Sequence, residues 1–423
     1  MPEVLNYESP ALTQPPPPRF ALLTIFLIVF VDLLGFGIII PALPVYALRF
    51  SASPVQVGLI FSIFSACQFV ATPILGAWSD RIGRKPVLVL SQLGSAIGYV
   101  LLGLVNQDFW GSGALALMLL YASRIIDGVS GGNISTAQAY IADITSSEKR
   151  AKGMGVLGAA FGLGFTLGPP LGGAFGKEHI WLPAYLAAGA SCISCLMTLL
   201  LLRESRVHRP IDAEAWLHPH TFLPVFRDPV LRSLLLTSFL CMAAFVMMEA
   251  SLMMFLLDRF QMSFFKAALY LCFLGLVIAA VQGGLIHRMN KRFDEWSLAI
   301  WGLVAAAAGM LGYVQADLYP VMFLLFVAGF FNAVGRSMWQ PTFQALVSKF
   351  TPPDKQGVVF GLYWGMSSMA RVIGPIVGTA FYWKNRGLGP FAIAAGLLAV
   401  AAVWTRAMRR PLAQSAEPAM AVG

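Results

Sequence analysis

Windows of about 20 mostly apolar residues, the length at which an α-helix crosses the hydrocarbon core of a bilayer, recur along the whole chain. They begin near Phe20, Val55, Pro86, Gly113, Gly153, Ile180, Leu231, Phe264, Trp296, Leu318, Gly357 and Leu388. Polar and charged residues gather in the short gaps between them. The pattern predicts an all-α polytopic membrane protein with twelve transmembrane helices.

One connection is long: residues 203–230, rich in Arg, His and Pro, divide the helices six and six. The expected organisation is a tail (1–19), a six-helix bundle (20–202), a central loop (203–230), a second bundle (231–408) and a tail (409–423). A shift of 206 positions aligns Ala139 with Ala345, Thr145 with Thr351, Lys149 with Lys355, Gly155 with Gly361, Gly168-Pro169 with Gly374-Pro375, and Gly172 with Gly378. A shift of 207 lays GAWSDRIGRK (76–85) over GGLIHRMNKR (283–292), where Asp80 becomes His287. Self-similarity at this period indicates a duplicated six-helix unit, so the bundles are expected to be pseudo-symmetric, with a substrate site at their interface near the bilayer midplane.

Composition agrees, since 58% of the 423 residues are hydrophobic and 12% charged, against about 25% charged in soluble domains. The net charge of +9 would suit nucleic acid only if it formed a patch. Instead, 20 of the 29 Lys and Arg fall on one side of the predicted spans: Arg19, the 81–85 cluster, 149–152, 203–232, 288–292, Lys349, Lys355 and 406–410. That is a positive-inside bias, which puts both termini in the cytoplasm and removes the need for a nucleic-acid partner. Residues 1–18 carry acids and a PPPP run with no basic start, so the first apolar run is expected to remain as a helix in an inner or plasma membrane.

Other chemistries find little support. Cys67, Cys192, Cys195, Cys241 and Cys272 all lie in predicted spans, so neither a disulfide framework nor a zinc site is expected. The HPH at 218–220 lacks further ligands, and no metal is expected. GLGFTLG (162–168) sits inside a span with neither a preceding strand nor a Lys, unlike a nucleotide loop. With no nucleophile and base pair and no ATP motif, the chain reads as a non-enzyme without cofactor that draws on a proton gradient. Its partners are then a small-molecule substrate, protons and the lipid bilayer, and it is expected to act as a monomer.

Charges inside the apolar runs carry the functional reading. Asp32 lies about 18 Å into the first helix at 1.5 Å per residue. Burial disfavours a lone carboxylate there, which suits a proton or cation site; the competing reading is a fixed ion pair. Glu249 sits among Met247, Met248, Met253 and Met254 on the counterpart helix, where a soft lining suits varied ligands, although core packing is the plainer role for most of these Met. Arg124 and Asp127 are three apart, on one helix face and able to pair. Arg336 and Arg371 have no acid within one turn; they either seek Glu249 and Asp32 or attract an anionic group. Gln68, Asn133, Gln138, Asn332 and Gln340 are further candidates for the cavity lining, with interhelical hydrogen bonding as the alternative.

Four local patterns remain. Residues 76–85 meet Gly-x-x-x-Asp-Arg-x-Gly-Arg-Lys through Gly76, Asp80, Arg81, Gly83, Arg84 and Lys85. The fifth span carries Gly155, Gly164, Gly168-Pro169 and Gly172-Gly173, the fourth RIIDGVSGG with Arg124 and Gly128, and the first DLLGFGIIIPALP. Together, and in this order, they resemble the major facilitator superfamily and its twelve-helix drug/proton antiporters. With YIADIT at 140–145, the N-terminal half is similar to the tetracycline efflux pumps. One feature departs: those pumps carry a functional acid within helix 9, whereas Trp296 to Gln315 contains none.

The resemblance implies the major facilitator fold, alternating access, a coupling role for Arg124 with Asp127, and a glycine-rich fifth helix that limits leak. The glycines would allow close helix approach, with a bend at Pro169-Pro170. The 76–85 loop reads as a conformational latch in which Arg84 pairs with Asp143 and Asp80 faces the helix 11 N-terminus near Gly357. The expected function is proton-coupled antiport that exports small amphipathic, cationic or zwitterionic compounds. The alternatives are a uniporter or proton symporter importing a sugar or organic acid, and a non-transporting receptor or scaffold.

Overall fold

A computed structural model describes residues 20–107, 113–131, 133–145, 150–205, 223–290, 292–352, 356–385 and 388–416. Helix ends are set locally. The first span is α1 (Ala21–Ile39) and α2 (Ala42–Arg49), parted at Pro41, whose missing N–H breaks the backbone ladder. Ser53 and Gln56 form a capping box at the start of α3 (Pro54–Ile82), which satisfies two orphan donors. Gly83, at φ 108°, makes the turn into α4 (Arg84–Val105), a conformation that costs glycine little. Then follow α5 (Ala114–Ser130), α6 (Asn133–Ile144), α7 (Arg150–Gly176), α8 (Leu182–Leu201) and the short α9 (Leu223–Arg227).

The second half repeats the plan. Asp228 caps α10 (Pro229–Asp258) and Ser263 caps α11 (Phe264–Ala280). The latter continues through a π-helical segment, Val281–Leu285, into α12 (Ile286–Asn290), at the place where the repeat matches the 76–85 loop. Asp294 caps α13 (Glu295–Leu318), and α14 (Met322–Phe350), α15 (Gln356–Asn385) and α16 (Leu388–Ala416) complete the chain. Among the described residues, eleven helical stretches are long and apolar enough to cross a membrane, counting α1 with α2 and α5 with α6. The twelfth crossing helix is α15, which is less apolar and carries Arg371. The tenth helix starts at Met322 rather than near Leu318, because α13 runs through Asp317 before Pro320 ends the apolar run.

Contacts repeat with the sequence. Within the first half α1 packs on α7 and α8, and α4 on α5 and α8; within the second, α10 packs on α15 and α16, and α13 on α14 and α16. The two main pairings between the halves are α3 with α15 and α7 with α11, each the other's counterpart under the duplication, and α2 adds a lesser contact with α10. One apolar core runs from the α1 end and α2 (Ile38, Leu43, Tyr46) into α10, α13 and α14, while a separate cluster (Ile25, Leu33, Leu88, Tyr140, Leu157) fills the other end of the first half. The halves thus share a core at one end, called here the far end. The opposite end carries the Gly83 turn and is called the loop side.

Glycines mark where the halves meet. A Cβ at Gly58, near the far end of α3, would lie 2.7 Å from Ile376 Cα and 2.8 Å from Pro375 O of α15. One at Gly173, near the far end of α7, would lie 3.1 Å from Phe265 Cα of α11. Towards the loop side, Gly76, Gly158, Gly162, Gly283, Gly284 and Gly361 have no such neighbour within 4 Å.

Candidate functional site

Between the halves lies a partly open cavity of about 590 Å³. Helical spacing supplies its walls: Phe36, Ile39, Ile40 and Leu43 from the first span; Phe61, Phe64 and Ser65 from α3; Phe165 from α7; Val246, Glu249 and Ala250 from α10; Arg371 and Pro375 from α15; and Arg124 from α5. Residues three and four apart present one helix face, which is how each wall forms. Arg371 is near the midpoint of α15, and Glu249 lies about 13 Å along α10 from its Asp258 end at 1.5 Å per residue.

Glu249 and Arg371 are partly buried, and among the described residues neither makes a hydrogen bond or ion pair. Arg336 of α14 stands in the field of both. Its guanidinium carbon lies 3.4 Å from the Phe245 ring centroid and its Nε donates to Gln340 Oε1 at 3.3 Å, so its close partners are neutral.

Arg124 is 1% exposed. Its Nη1 donates to Asp127 Oδ2 at 3.1 Å, and its guanidinium carbon is 5.6 Å from the Tyr99 ring centroid. Asp127 also accepts from Ser95 and Tyr99. Nε and Nη2 of Arg124 are buried with no hydrogen-bond partner among the described residues, a costly arrangement for a guanidinium.

Asp32 does not share this cavity. It lines a second pocket of about 250 Å³ with Ile28, Val29, Leu33, Leu88, Gln92, Ile134 and Ala137, inside the first half between α1, α4 and α6. Tyr99 lies in the fields of Asp32, Asp127 and Arg124, so the two pockets face one charged cluster. Other expected lining residues are also elsewhere. Gln68 donates to the Gly131 carbonyl at 2.8 Å, covering the end of α5. Gln138 is exposed, Met248 is 3% exposed in the core, and Asn332, 4% exposed, packs against Gly309 of α13. The Asn133 side chain lies outside the described residues.

The 76–85 loop is tied to its own half. Arg84 pairs with Asp80 at 2.7 Å and with Asp143 at 3.0 Å, and donates to Ser79 Oγ at 2.6 Å. Asp80 is held by Arg84; the residues just before α15, towards which the sequence reading aimed it, lie outside the described residues. Lys85 Nζ reaches the Leu199 carbonyl at 2.7 Å, Arg81 is exposed, and a Cβ at Gly76 would meet nothing within 4 Å. Sequence reasoning missed Glu204. Its carboxylate accepts the backbone N–H groups of Arg84 and Lys85 at 2.8 and 3.0 Å, and Ser205 Oγ donates to Asp143 Oδ2 at 3.0 Å. A carboxylate is favoured at a helix N-terminus.

The α7 glycines provide close approach. A Cβ at Gly164 would lie 3.0 Å from the Leu33 backbone, at Gly168 2.6 Å from Gly37 Cα, and at Gly172 3.3 Å from the Ile38 carbonyl carbon, all in α1. Pro169 lies within the helix; nothing is described of the Gly155 environment.

Two halves built on one plan, crossing a membrane and enclosing a charged cavity at their interface, define a secondary transporter. The profile of the Major Facilitator Superfamily matches residues 25–375 and again 288–422, and the chain belongs to that superfamily: it is an integral membrane transporter of small molecules, not an enzyme. Tetracycline resistance protein, class C, of Escherichia coli is 32% identical over 375 residues, covering 86% of this chain and 89% of its own. Major facilitator superfamily domain-containing protein 10 of Homo sapiens is 29% identical over 436 residues, covering 92% and 93%. The crystal structure of that human protein, described as an organic anion transporter, superposes with a TM-score of 0.68 at 25% identity, covering 92% of this chain and all of the other. A bacterial homologue of human Spinster, solved inward-facing and occupied, gives 0.73 at 18% identity over 92% and 96%.

Proposed function

We propose that the protein is a proton-coupled antiporter that exports small amphipathic compounds from the cytoplasm by alternating access. The observation that supports this most directly is Glu249, a carboxylate without a described partner, facing the cavity between the halves from within a membrane-crossing helix. An ionisable group in that position is a functional candidate by default. A proton and a substrate's positive group cannot both neutralise one carboxylate. A proton arriving from outside would occupy Glu249, favour return of the empty carrier and leave to the cytoplasm, restoring the charge for the next substrate. Asp32, in its own pocket, is the second proton-carrying group, with Asp127 and Arg124 between the two sites. The Lys and Arg distribution supports cytoplasmic termini and an inner or plasma membrane. Similarity to tetracycline resistance proteins supports export of drug-like molecules, and a single chain encloses the whole cavity, as a monomer requires.

A second reading is favoured by the arginine excess: Arg371 lines the cavity with Glu249, Arg336 behind the lining stands in the field of both, and the human relative is described as an organic anion transporter. On that reading the carrier is a uniporter or proton symporter for an organic acid. Proton flux in liposomes of purified protein, followed with a pH-sensitive dye, separates the two. Flux opposite to compound movement, lost in Glu249→Gln or Asp32→Asn, supports antiport; flux in the same direction, or none, overturns it.

A further inference from the structure

Resting on the transporter reading above, we propose that the cavity recognises a zwitterion, with Glu249 holding its cationic group and Arg371 its oxyanion. Both side chains line the same cavity from adjoining helices, α10 and α15. Opposite charges that share a partly enclosed space attract, yet these two are not within the 4.0 Å of an ion pair, and neither has another hydrogen-bonding partner among the described residues. A gap between unlike charges is filled at least cost by a ligand that carries both signs in the complementary order.

Ligands of a single sign fit less well. A monocation would neutralise Glu249 and leave Arg371 and Arg336 facing it in a confined space. A monoanion would satisfy Arg371 and leave Glu249 with only the field of Arg336, which makes no ion pair with it. Arg336, held by Phe245 and Gln340 behind the lining, adds a positive field felt by Glu249 first and by Arg371 second, without pairing with either. The opposite wall is apolar and aromatic, with Phe36, Phe61, Phe64 and Phe165, and suits a flat or aromatic body. The arrangement also accounts for competition with protons: protonating Glu249 removes the socket for the cationic group while Arg371 is untouched.

The test is equilibrium binding to the full chain in nanodiscs, with no pH gradient. The probes are phenylalanylphenylalanine and 4′-(aminomethyl)biphenyl-4-carboxylic acid, each with its methyl ester (a cation) and its N-acetyl derivative (an anion). Wild type should bind at least one zwitterion about tenfold or more tightly than both of its single-charge relatives. Glu249→Gln should abolish the advantage over the N-acetyl compound and keep the advantage over the ester; Arg371→Gln should do the reverse. Equal binding within each trio, no binding by either trio, or equal loss for all three compounds in both variants overturns the assignment. The wild-type series decides the matter even where a variant fails to fold. Because no proton gradient is applied, failure of proton coupling in liposomes leaves this result standing, and the converse also holds.

Discussion

Arg84 donates from Nε to Oδ2 of Asp143 at 3.0 Å, joining the turn between α3 and α4 to the last turn of α6. The Arg84 side chain is 7% exposed, so its charge must be met within the protein. Asp143→Asn leaves Asp80 as the one acid paired with the guanidinium among the described residues and removes the charged acceptor for Ser205. A hydrogen bond to a charged group contributes about 1.5–3 kcal/mol. Thermal unfolding in detergent should show a loss of that order for Asp143→Asn, while Arg81→Gln, at an exposed position, should stay within about 0.5 kcal/mol of wild type. Equal midpoints for all three proteins would mean the pair is only a surface contact.

The two ends of that network differ in how well the sequence reveals them. Arg84 with Asp143 was legible because a motif fixes one partner and the end of the fourth apolar run fixes the other. Glu204 was hidden: it lies past the sixth span, 120 residues from the N–H it accepts. Its only signal was that α4 begins after a glycine, which offers no side-chain cap. Asp32 shows a further limit. Periodicity places it on a face of α1, but which neighbour that face meets depends on how α4 and α6 pack. Asp317 escaped because it falls between the run from Trp296 to Gln315 and the window that begins near Leu318; it lies in the last turn of α13, 6% exposed, with Arg259 Nε donating to its carbonyl at 2.7 Å.

The α1 to α7 contact should be intolerant of even one methyl group. A Cβ at Gly168 would approach Gly37 Cα at 2.6 Å and Ile38 N at 2.8 Å, which are backbone atoms unable to step aside. Gly168→Ala should cost about 1–3 kcal/mol, the usual range for overpacking. Gly158→Ala, in the same helix but exposed and with no close neighbour, should gain up to about 1 kcal/mol from helix propensity. Opposite shifts in thermal midpoint are expected, and equal shifts would mean that α7 does not pack on α1 as described.

Asp294 gives a pH signature at the start of α13. Partial burial raises its carboxyl pKa, but the hydrogen bonds from Ser297 and the Arg409 charge outweigh that and leave it below the ordinary value of 3.8. A group lowered in the folded state contributes stability that is present above its unfolded value, near pH 4, and is lost as pH falls through the folded one. Wild type should therefore melt above Asp294→Ala at pH 7, with the gap narrowing below about pH 4. A constant gap from pH 7 to pH 3 would assign the effect to packing.

Closure of the far end depends on Gly58 admitting α15 and Gly173 admitting α11. At Gly58 a valine would force its side chain against Pro375 O and Ile376 Cα, which an added Cβ alone would meet at 2.8 and 2.7 Å. A clash of about 1–3 kcal/mol that exists only when the far end is closed shifts a two-state equilibrium by about 5- to 150-fold. Relief comes from opening the far end, and in an alternating carrier that brings the loop sides together. Spin labels at the exposed Ile82 and Phe293, one on the loop side of each half, report this directly. Gly58→Val should move the pulsed-resonance distance distribution towards shorter values and slow transport, whereas Gly158→Ala should leave both unchanged. A distribution identical to wild type in a folded Gly58→Val protein would show that the two ends open and close independently, and a rocking carrier could not then be sustained for this chain.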